Sequence, residues 1–325
     1  MNKKNVLILG AGVSGMTTAL RLLEAGHNVT IWSKEAEGEF PRTSMSAYAM
    51  WVPVRIDADP RIERWTDESF LEFERLSRDE STGVAMKPIF VLKTHRDEPW
   101  YAEKLAEKFA GFRHARADEI SEQYADANVL EAAPVIDPTV YLPWLRQRAI
   151  AAGGVFEQHE VHSLPDCPEE FSVIVNCTGL GARQLAKDAA LVPERVQVVT
   201  IRHNGFDRVV IDDEGPNKRA CIVPHRDYIK LGAVFDGNQE PTEVDEELTA
   251  DILARCRRMV PGFAAEESDV LSVTRALRPE RSLIRVEMET LDNGRTVVHN
   301  YGHDGMGYLV SFGIAAEIEG WLAKL

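Results

Sequence analysis

The chain has 325 residues, enough for one large or two medium domains with real cores. Its formal charge of -15, from 37 Lys and Arg against 52 Asp and Glu, argues against a nucleic acid or an anionic membrane surface as partner. Cys167, Cys177, Cys221 and Cys256 show neither CxxC spacing nor clustering with histidines, so neither a disulfide framework nor a metal site is expected.

Val6-Leu7-Ile8-Leu9 reads as a buried strand and leads into Gly10-Ala11-Gly12-Val13-Ser14-Gly15. Met16 to Ala25 repeats apolar residues at helical spacing, so the glycines sit at a strand-to-helix turn. There the first glycine allows the tight turn, the second lets the backbone approach a pyrophosphate, and the third lets helix pack on strand. Gly26 closes the helix, and His27 to Trp32 reads as a second strand. Glu35 follows where a carboxylate would take ribose hydroxyls, with Lys34 beside it as the rival. A dinucleotide is the expected ligand. The motif begins at residue 6, which leaves no room for a signal peptide, and no apolar run approaches the ~20 residues of a membrane span. The cytoplasm is the expected compartment, with a peroxisomal address left open by Ala323-Lys324-Leu325.

Residues 36–55 read as a loop containing Thr43 and Ser44. Ser69 to Arg78 and Trp100 to Phe109 have helical spacing, and Pro88 to Leu92 reads as a strand between them. Asp137 and Pro138 open a helix through Tyr141, Leu142 and Leu145. Val155-Phe156 and Ser172 to Asn176 then return to apolar strand pattern, the latter ending in the Cys177-Thr178-Gly179 turn, which implies a nucleotide domain discontinuous in sequence. Runs at 196–201, 209–211, 222–223 and 229–235 suit an antiparallel sheet. Helices are expected over Glu246 to Met259 and Tyr308 to Leu325.

Together these segments resemble the D-amino-acid oxidase family of flavoenzymes over nearly the whole chain. The resemblance is carried by Gly10 to Gly15, the Thr43-Ser44 loop before Trp51 and Pro53, Tyr141 to Leu145, Val175 to Gly179, Leu277-Arg278-Pro279, Ile284 to Glu287 and His299 to His303. It implies FAD as cofactor and an α/β fold: a Rossmann-like FAD-binding domain interleaved with an α+β substrate domain built on an antiparallel sheet. The expected FAD-binding domain takes residues 1–50, 138–192 and 270–325, and the substrate domain 51–137 and 193–269. By position, Gly10, Gly12, Gly15 and Ser44 would hold the pyrophosphate, and Val13, Ser14 and Thr43 are further expected cofactor-binding residues. Glu35 or Lys34 would lie near the adenosine, Val161 would meet the adenine side through its backbone, and Thr178 and Gly179 are further expected cofactor-binding residues. Ala49, Met50 and Trp51 would pass the reactive edge of the flavin, and Gly302, Gly305, Met306, Gly307, Tyr308 and Leu309 its pyrimidine end, where a helix start supplies positive potential.

The implied reaction is oxidative deamination of a D-amino acid or related small amino acid, by hydride transfer from Cα to flavin N5. It gives an imine and then a keto acid and ammonia, with O2 reduced to H2O2. The resemblance makes Arg278 the clamp for the α-carboxylate, a role that suits a guanidinium fork. The other reading of Arg278 is a sheet arginine paired with an acid such as Glu287. Gly305 would accept the amine through its carbonyl. His303 is read as a structural hydrogen-bonding residue of the loop, with proton transfer as the other reading.

Several positions depart from the family. Cys221 stands where a carboxylate-binding tyrosine is usual, Met306 where a tyrosine is, and Leu309 where a threonine contacts the flavin. That contact then falls to Tyr308, Ser311 or backbone. Val196 replaces a glycine in Val192 to Gln197. Tyr228 is a candidate aromatic wall, and Lys218, Arg219 and Arg226 could receive a second acidic group. These changes keep open an oxidase of glycine, sarcosine or a specialised amino acid, and a catalytically silent flavin-binding module. The expected partners are the amino-acid substrate and O2, and a homodimer is left open.

Overall fold

The computed structural model describes residues 3–52, 59–95, 111–217, 219–236 and 243–325. Its elements begin β1 (Asn5–Leu9), α1 (Val13–Glu24), β2 (Asn28–Ser33), α2 (Arg42–Ser46), α3 (Pro60–Leu76), β3 (Val84–Lys93), β4 (Phe112–His114) and β5 (Asp126–Ile136). They continue α4 (Pro138–Ala151), β6 (Val155–Gln158), β7 (Val173–Asn176), α5 (Ala182–Leu185), β8 (Val192–Arg202), β9 (Val209–Asp212), β10 (Ala220–Pro224) and β11 (Tyr228–Asp236). The last are α6 (Glu246–Met259), β12 (Val270–Glu280), β13 (Arg285–Thr290), β14 (Thr296–Tyr301) and α7 (Ser311–Leu322).

The chain forms two compact units, both discontinuous in sequence. The first comprises Met1–Val84, Pro138–Glu194 and Leu277–Leu325, and the second Ala85–Asp137 and Arg195–Ala276. Residues 59–84, expected with the substrate domain, pack in the first unit instead. The reason is α3, which lies against α7 so closely that a Cβ at Gly313 would stand 2.2 Å from Trp65 Cα. Only a residue without a side chain permits that approach.

The first unit is framed by a six-stranded sheet, ordered β13-β14-β7-β1-β2-β6. All neighbours but β13 and β14 run parallel. Val6, Leu7, Ile8 and Leu9 are buried because both faces are covered, as a parallel sheet requires. Leu7 and Leu9 join Trp32, Ile174 and Val297 in a cluster with Leu164 and Phe171, while α1 packs on α4 and α7.

The second sheet is ordered β12-β8-β11-β10-β9-β3-β5-β4. The expectation of an antiparallel sheet holds for β8/β11, β10/β11, β9/β10 and β4/β5, but β3 pairs with β9 in parallel, so the sheet is mixed. One of its faces is apolar through Ile222, Ile229 and Leu231, which pack with Ile252, Leu253 and Cys256 of α6.

Two expectations shift, and a third is not tested. The 36–55 loop contains the short α2. The helix expected from Ser69 begins at Pro60, where Asp59 Oδ1 accepts from Arg61 N at 2.8 Å and caps it. The helix expected over Trp100 to Phe109 lies outside the described residues.

Candidate FAD and substrate site

The β1–α1 turn has the shape its glycines require. A Cβ on Gly15 would lie 2.0 Å from Gly10 O, so helix and strand touch through backbone alone. At Gly12 an added Cβ would meet Ser44 Oγ at 3.0 Å, with Pro41 Cγ next at 3.9 Å. Helix α1 carries no acid in its first turn and no side-chain cap from Gly12. The positive helix end therefore has no carboxylate of its own first turn to compensate it, which suits a pyrophosphate. Ser44 Oγ accepts from Val13 N at 3.1 Å and fixes α2 against this end.

Beyond the turn lies an open cleft lined by Ala11, Ser33, Glu35, Arg146 and Phe156, among others. Of the two rivals, Glu35 lines the cleft and takes a hydrogen bond of 2.6 Å from Ser33 Oγ, whereas Lys34 is exposed. Val161 packs its side chain against the Leu7, Trp32 and Phe171 cluster. Thr178 donates to Asn176 Oδ1 at 2.7 Å, which sets the turn that carries Gly179.

Ala49 holds a left-handed backbone with φ 49° although buried, and Met50 forms an isolated bridge. Such strain in a non-glycine residue persists only where surroundings impose it. Trp51 sends its indole into the protein, where Nε1 donates to Thr66 O at 3.0 Å and the ring meets Phe70 edge-on.

The loop 302–310 is tied to α1 by His303. Its Nε2 lies 2.8 Å from Asn300 Oδ1 and its Nδ1 3.4 Å from Ser14 Oγ. The acceptor Asn300 Oδ1 requires the proton on Nε2, so Nδ1 accepts from the serine. Burial lowers the His303 pKa to about 4, which leaves a neutral, hydrogen-bonding imidazole. Met306, Tyr308 and Leu309 are buried, and Gly307 lies against Val13. Tyr308 donates to Ser44 O at 3.0 Å and Ser311 to Tyr308 O at 3.0 Å, so each hydroxyl proton considered as a replacement for threonine is already committed within the chain.

Arg278 sits on β12 beside this loop. A Cβ at Gly305 would stand 2.8 Å from Arg278 Nη1, so the expected carboxylate clamp and amine acceptor are neighbours. The guanidinium also meets two carboxylates: Nε donates to Glu194 Oε2 at 3.0 Å, Nη2 bonds the same oxygen, and Nη2 lies 3.2 Å from Asp304 Oδ1. The acid suggested for such a pair, Glu287, pairs with Arg285 instead. Glu194 and Asp304 were missed as site residues because Glu194 reaches Arg278 from a neighbouring strand 84 positions away in sequence and Asp304 reaches it from the loop after β14.

The remaining candidates belong to the second unit. Cys221 and Tyr228 lie on the sheet face away from Ile222, Ile229, Leu231 and α6, as strand alternation dictates. Cys221 is buried, and Tyr228 is half-buried with its hydroxyl donating to Asp137 Oδ1 at 2.6 Å. Lys230 shares that face and is pushed down to about 8 by burial. Arg219 and Arg226 are both exposed, Arg226 lying 3.7 Å from Asp227, and Lys218 lies outside the described residues.

Residues 5–321 match the family model described as DAO, FAD dependent oxidoreductase. The chain therefore belongs to this family of FAD-dependent oxidoreductases. It is 37% identical to a D-amino-acid oxidase from Streptomyces coelicolor over 316 residues, covering 96% of this chain and 94% of that protein. It is 34% identical to a D-amino-acid oxidase from Rubrobacter xylanophilus, with 96% and 93% covered. Among solved structures, glycine oxidase from Bacillus cereus superposes with a TM-score of 0.79 at 18% identity, covering 99% of this chain and 95% of that one, which shows a shared fold. No helix among the described residues is long and apolar enough to cross a membrane.

Proposed function

We propose that this chain oxidises a D-amino acid, or a related small amino acid, to its imine, which water converts to a keto acid and ammonia. The observation that carries the reading is the adjacency of Arg278 and Gly305, with Nη1 2.8 Å from a Cβ added at the glycine. One element presents a guanidinium to the α-carboxylate and the other a carbonyl to the amine, so two points fix the substrate's orientation. The curated relatives named D-amino-acid oxidase support the substrate class.

Gly12, Val13, Ser14 and Ser44 would hold the pyrophosphate of FAD, Glu35 the ribose, and the 302–309 loop the flavin's pyrimidine end. Bound FAD supplies the two-electron acceptor, with O2 as the final oxidant and H2O2 as its product. The protein's part is placement: Arg278 binds the carboxylate, Gly305 receives the amine, and His303 holds the loop without exchanging a proton. Orientation of this kind lowers the barrier without a protein base.

The presence of Cys221 on the face shared with Tyr228 favours a second reading, oxidation of glycine, sarcosine or a specialised amino acid. A cysteine offers little hydrogen bonding to a carboxylate.

The test is anaerobic addition of D- and L-amino acids, glycine and sarcosine to the holoenzyme while the oxidised flavin bands are followed. Bleaching by D-amino acids supports the first reading, and bleaching by glycine or sarcosine alone moves weight to the second. An unchanged spectrum with every candidate sinks both. In the Arg278→Ala variant kcat/KM should fall by about 3 kcal/mol of transition-state stabilisation. Unchanged kcat/KM would overturn the clamp.

A further inference from the structure

We infer that Glu194 sets the charge class of the substrate: by holding Arg278 together with Asp304, it restricts the site to carboxylates that arrive with a positive charge attached. The inference rests on the Arg278 clamp proposed above and deepens it.

A clamp for a carboxylate is expected to present positive charge. Here one guanidinium meets two carboxylates, Glu194 through Nε and Nη2 and Asp304 through Nη2. One positive and two negative charges leave this cluster net negative. The pair is also largely withdrawn from water, with Arg278 and Glu194 side chains 20% and 13% exposed, so its field is poorly screened. Burial raises the Glu194 pKa, the Arg278 charge opposes that shift, and Asp304 and Glu280 add to it. Glu194 is therefore held in place by Arg278 at an electrostatic cost from its acidic neighbours.

Each candidate ligand meets this charge differently. A monocarboxylate without an amine competes with Glu194 for Arg278 and adds uncompensated negative charge. A zwitterionic amino acid offers its carboxylate to Arg278 and its ammonium to the acidic surroundings, so no net charge is added. A basic side chain adds a favourable charge, and an acidic side chain an unfavourable one. Such discrimination works by repulsion as much as by attraction. It also distinguishes substrate from product, because the keto acid has lost its nitrogen and keeps only the negative charge. Glu194 acts on the reaction through Arg278 and is a positioning residue.

The test compares the parent holoenzyme with Glu194→Gln and Arg278→Met. Calorimetric titration with 2-oxobutanoate reads carboxylate binding without turnover, and steady-state kinetics with D-alanine, D-lysine and D-aspartate read charge class. Glu194→Gln keeps the shape and removes the charge. It should tighten 2-oxobutanoate binding roughly tenfold and lower KM for D-aspartate more than for D-alanine, while D-lysine gains nothing. Glu194→Asp should restore the parent order of substrates, and flavin content should match the parent in both variants. Equal Kd for 2-oxobutanoate in parent and Glu194→Gln, or one common factor across the three amino acids, overturns the inference. If Arg278→Met abolishes 2-oxobutanoate binding while Glu194→Gln changes nothing, the clamp stands and the role of Glu194 falls. If Arg278→Met leaves binding unchanged, the clamp and the inference fall together.

Discussion

Thr43 Oγ1 donates to the carbonyl oxygen of Leu277 at 2.9 Å and so joins α2 to the residue that precedes Arg278. The segment that carries Ser44 is thereby tied directly to the strand that carries Arg278. In Thr43→Val the shape is kept and the bond lost, at about 1 kcal/mol. KM for an α-amino acid should rise about fivefold with FAD content unchanged. Steady-state kinetics beside a flavin absorbance ratio decide the matter, and an unchanged KM would detach Thr43 from the positioning of Arg278.

Gly15→Ala places a Cβ 2.0 Å from Gly10 O. Neither backbone segment can yield, because Gly10 N itself donates to Trp32 O at 2.7 Å. Overpacking of this kind costs about 3 kcal/mol, and the turn it distorts is the proposed pyrophosphate cradle. The purified variant should be colourless or nearly so, with a lower unfolding midpoint. A yellow variant as stable as the parent would count against both the packing account and the cradle.

Glu35 lines the cleft and Lys34 does not, so the two charge neighbours should behave differently. Glu35→Ala should weaken FAD binding by about 2 kcal/mol, the scale of a charged hydrogen bond, and Lys34→Ala by far less. Reconstitution of apoprotein with FAD, followed by flavin fluorescence, gives both dissociation constants. The reverse order would assign the adenosine end to Lys34.

Burial lowers two histidines, His225 to about 3 and His303 to about 4, from an ordinary value near 6.5. The fold holds both rings neutral, so the unfolded chain takes up protons first as the pH drops. Their contribution is complete above about pH 6.5 and is lost as pH falls toward 4. For His303 the full effect is on the order of 3 kcal/mol. The thermal midpoint should fall between pH 7.5 and 5, and it should fall less in His303→Gln. An equal drop in parent and variant would remove His303 from the explanation.

Legibility in the sequence followed the locality of the cause. The first strand, turn and helix were readable because their signals lie within consecutive residues, and Glu246 to Met259 was read to the residue. Strand β5 was missed because its buried residues include Asp126 and Asn128, which break the apolar pattern, and Pro134 interrupts it. The start of α3 was missed although Asp59-Pro60 repeats the type of signal recognised at Asp137-Pro138. At the site, Gly10 to Gly15 declare their geometry by lacking side chains. Arg278 declares only that it is an arginine on a strand, and its two acids come from β8 and from the loop after β14. Pairings of that kind are decided by tertiary packing, which no local pattern encodes.

The discontinuity of the first unit fixes an order of events during synthesis. Every residue of the second unit leaves the ribosome before 277–325, the stretch that supplies β13, β14, the 302–310 loop and α7 to the first. At about 5–20 residues per second those residues take roughly 2–10 s to make. During that interval the second unit has its whole sequence, while the first has β1, β2, β6 and β7 but lacks the pair of strands beside β7 and the loop that meets α1. Flavin capture is thus one of the last things nascent chains can do. Chains arrested after Ala276 should show a protease-resistant second unit and carry no FAD.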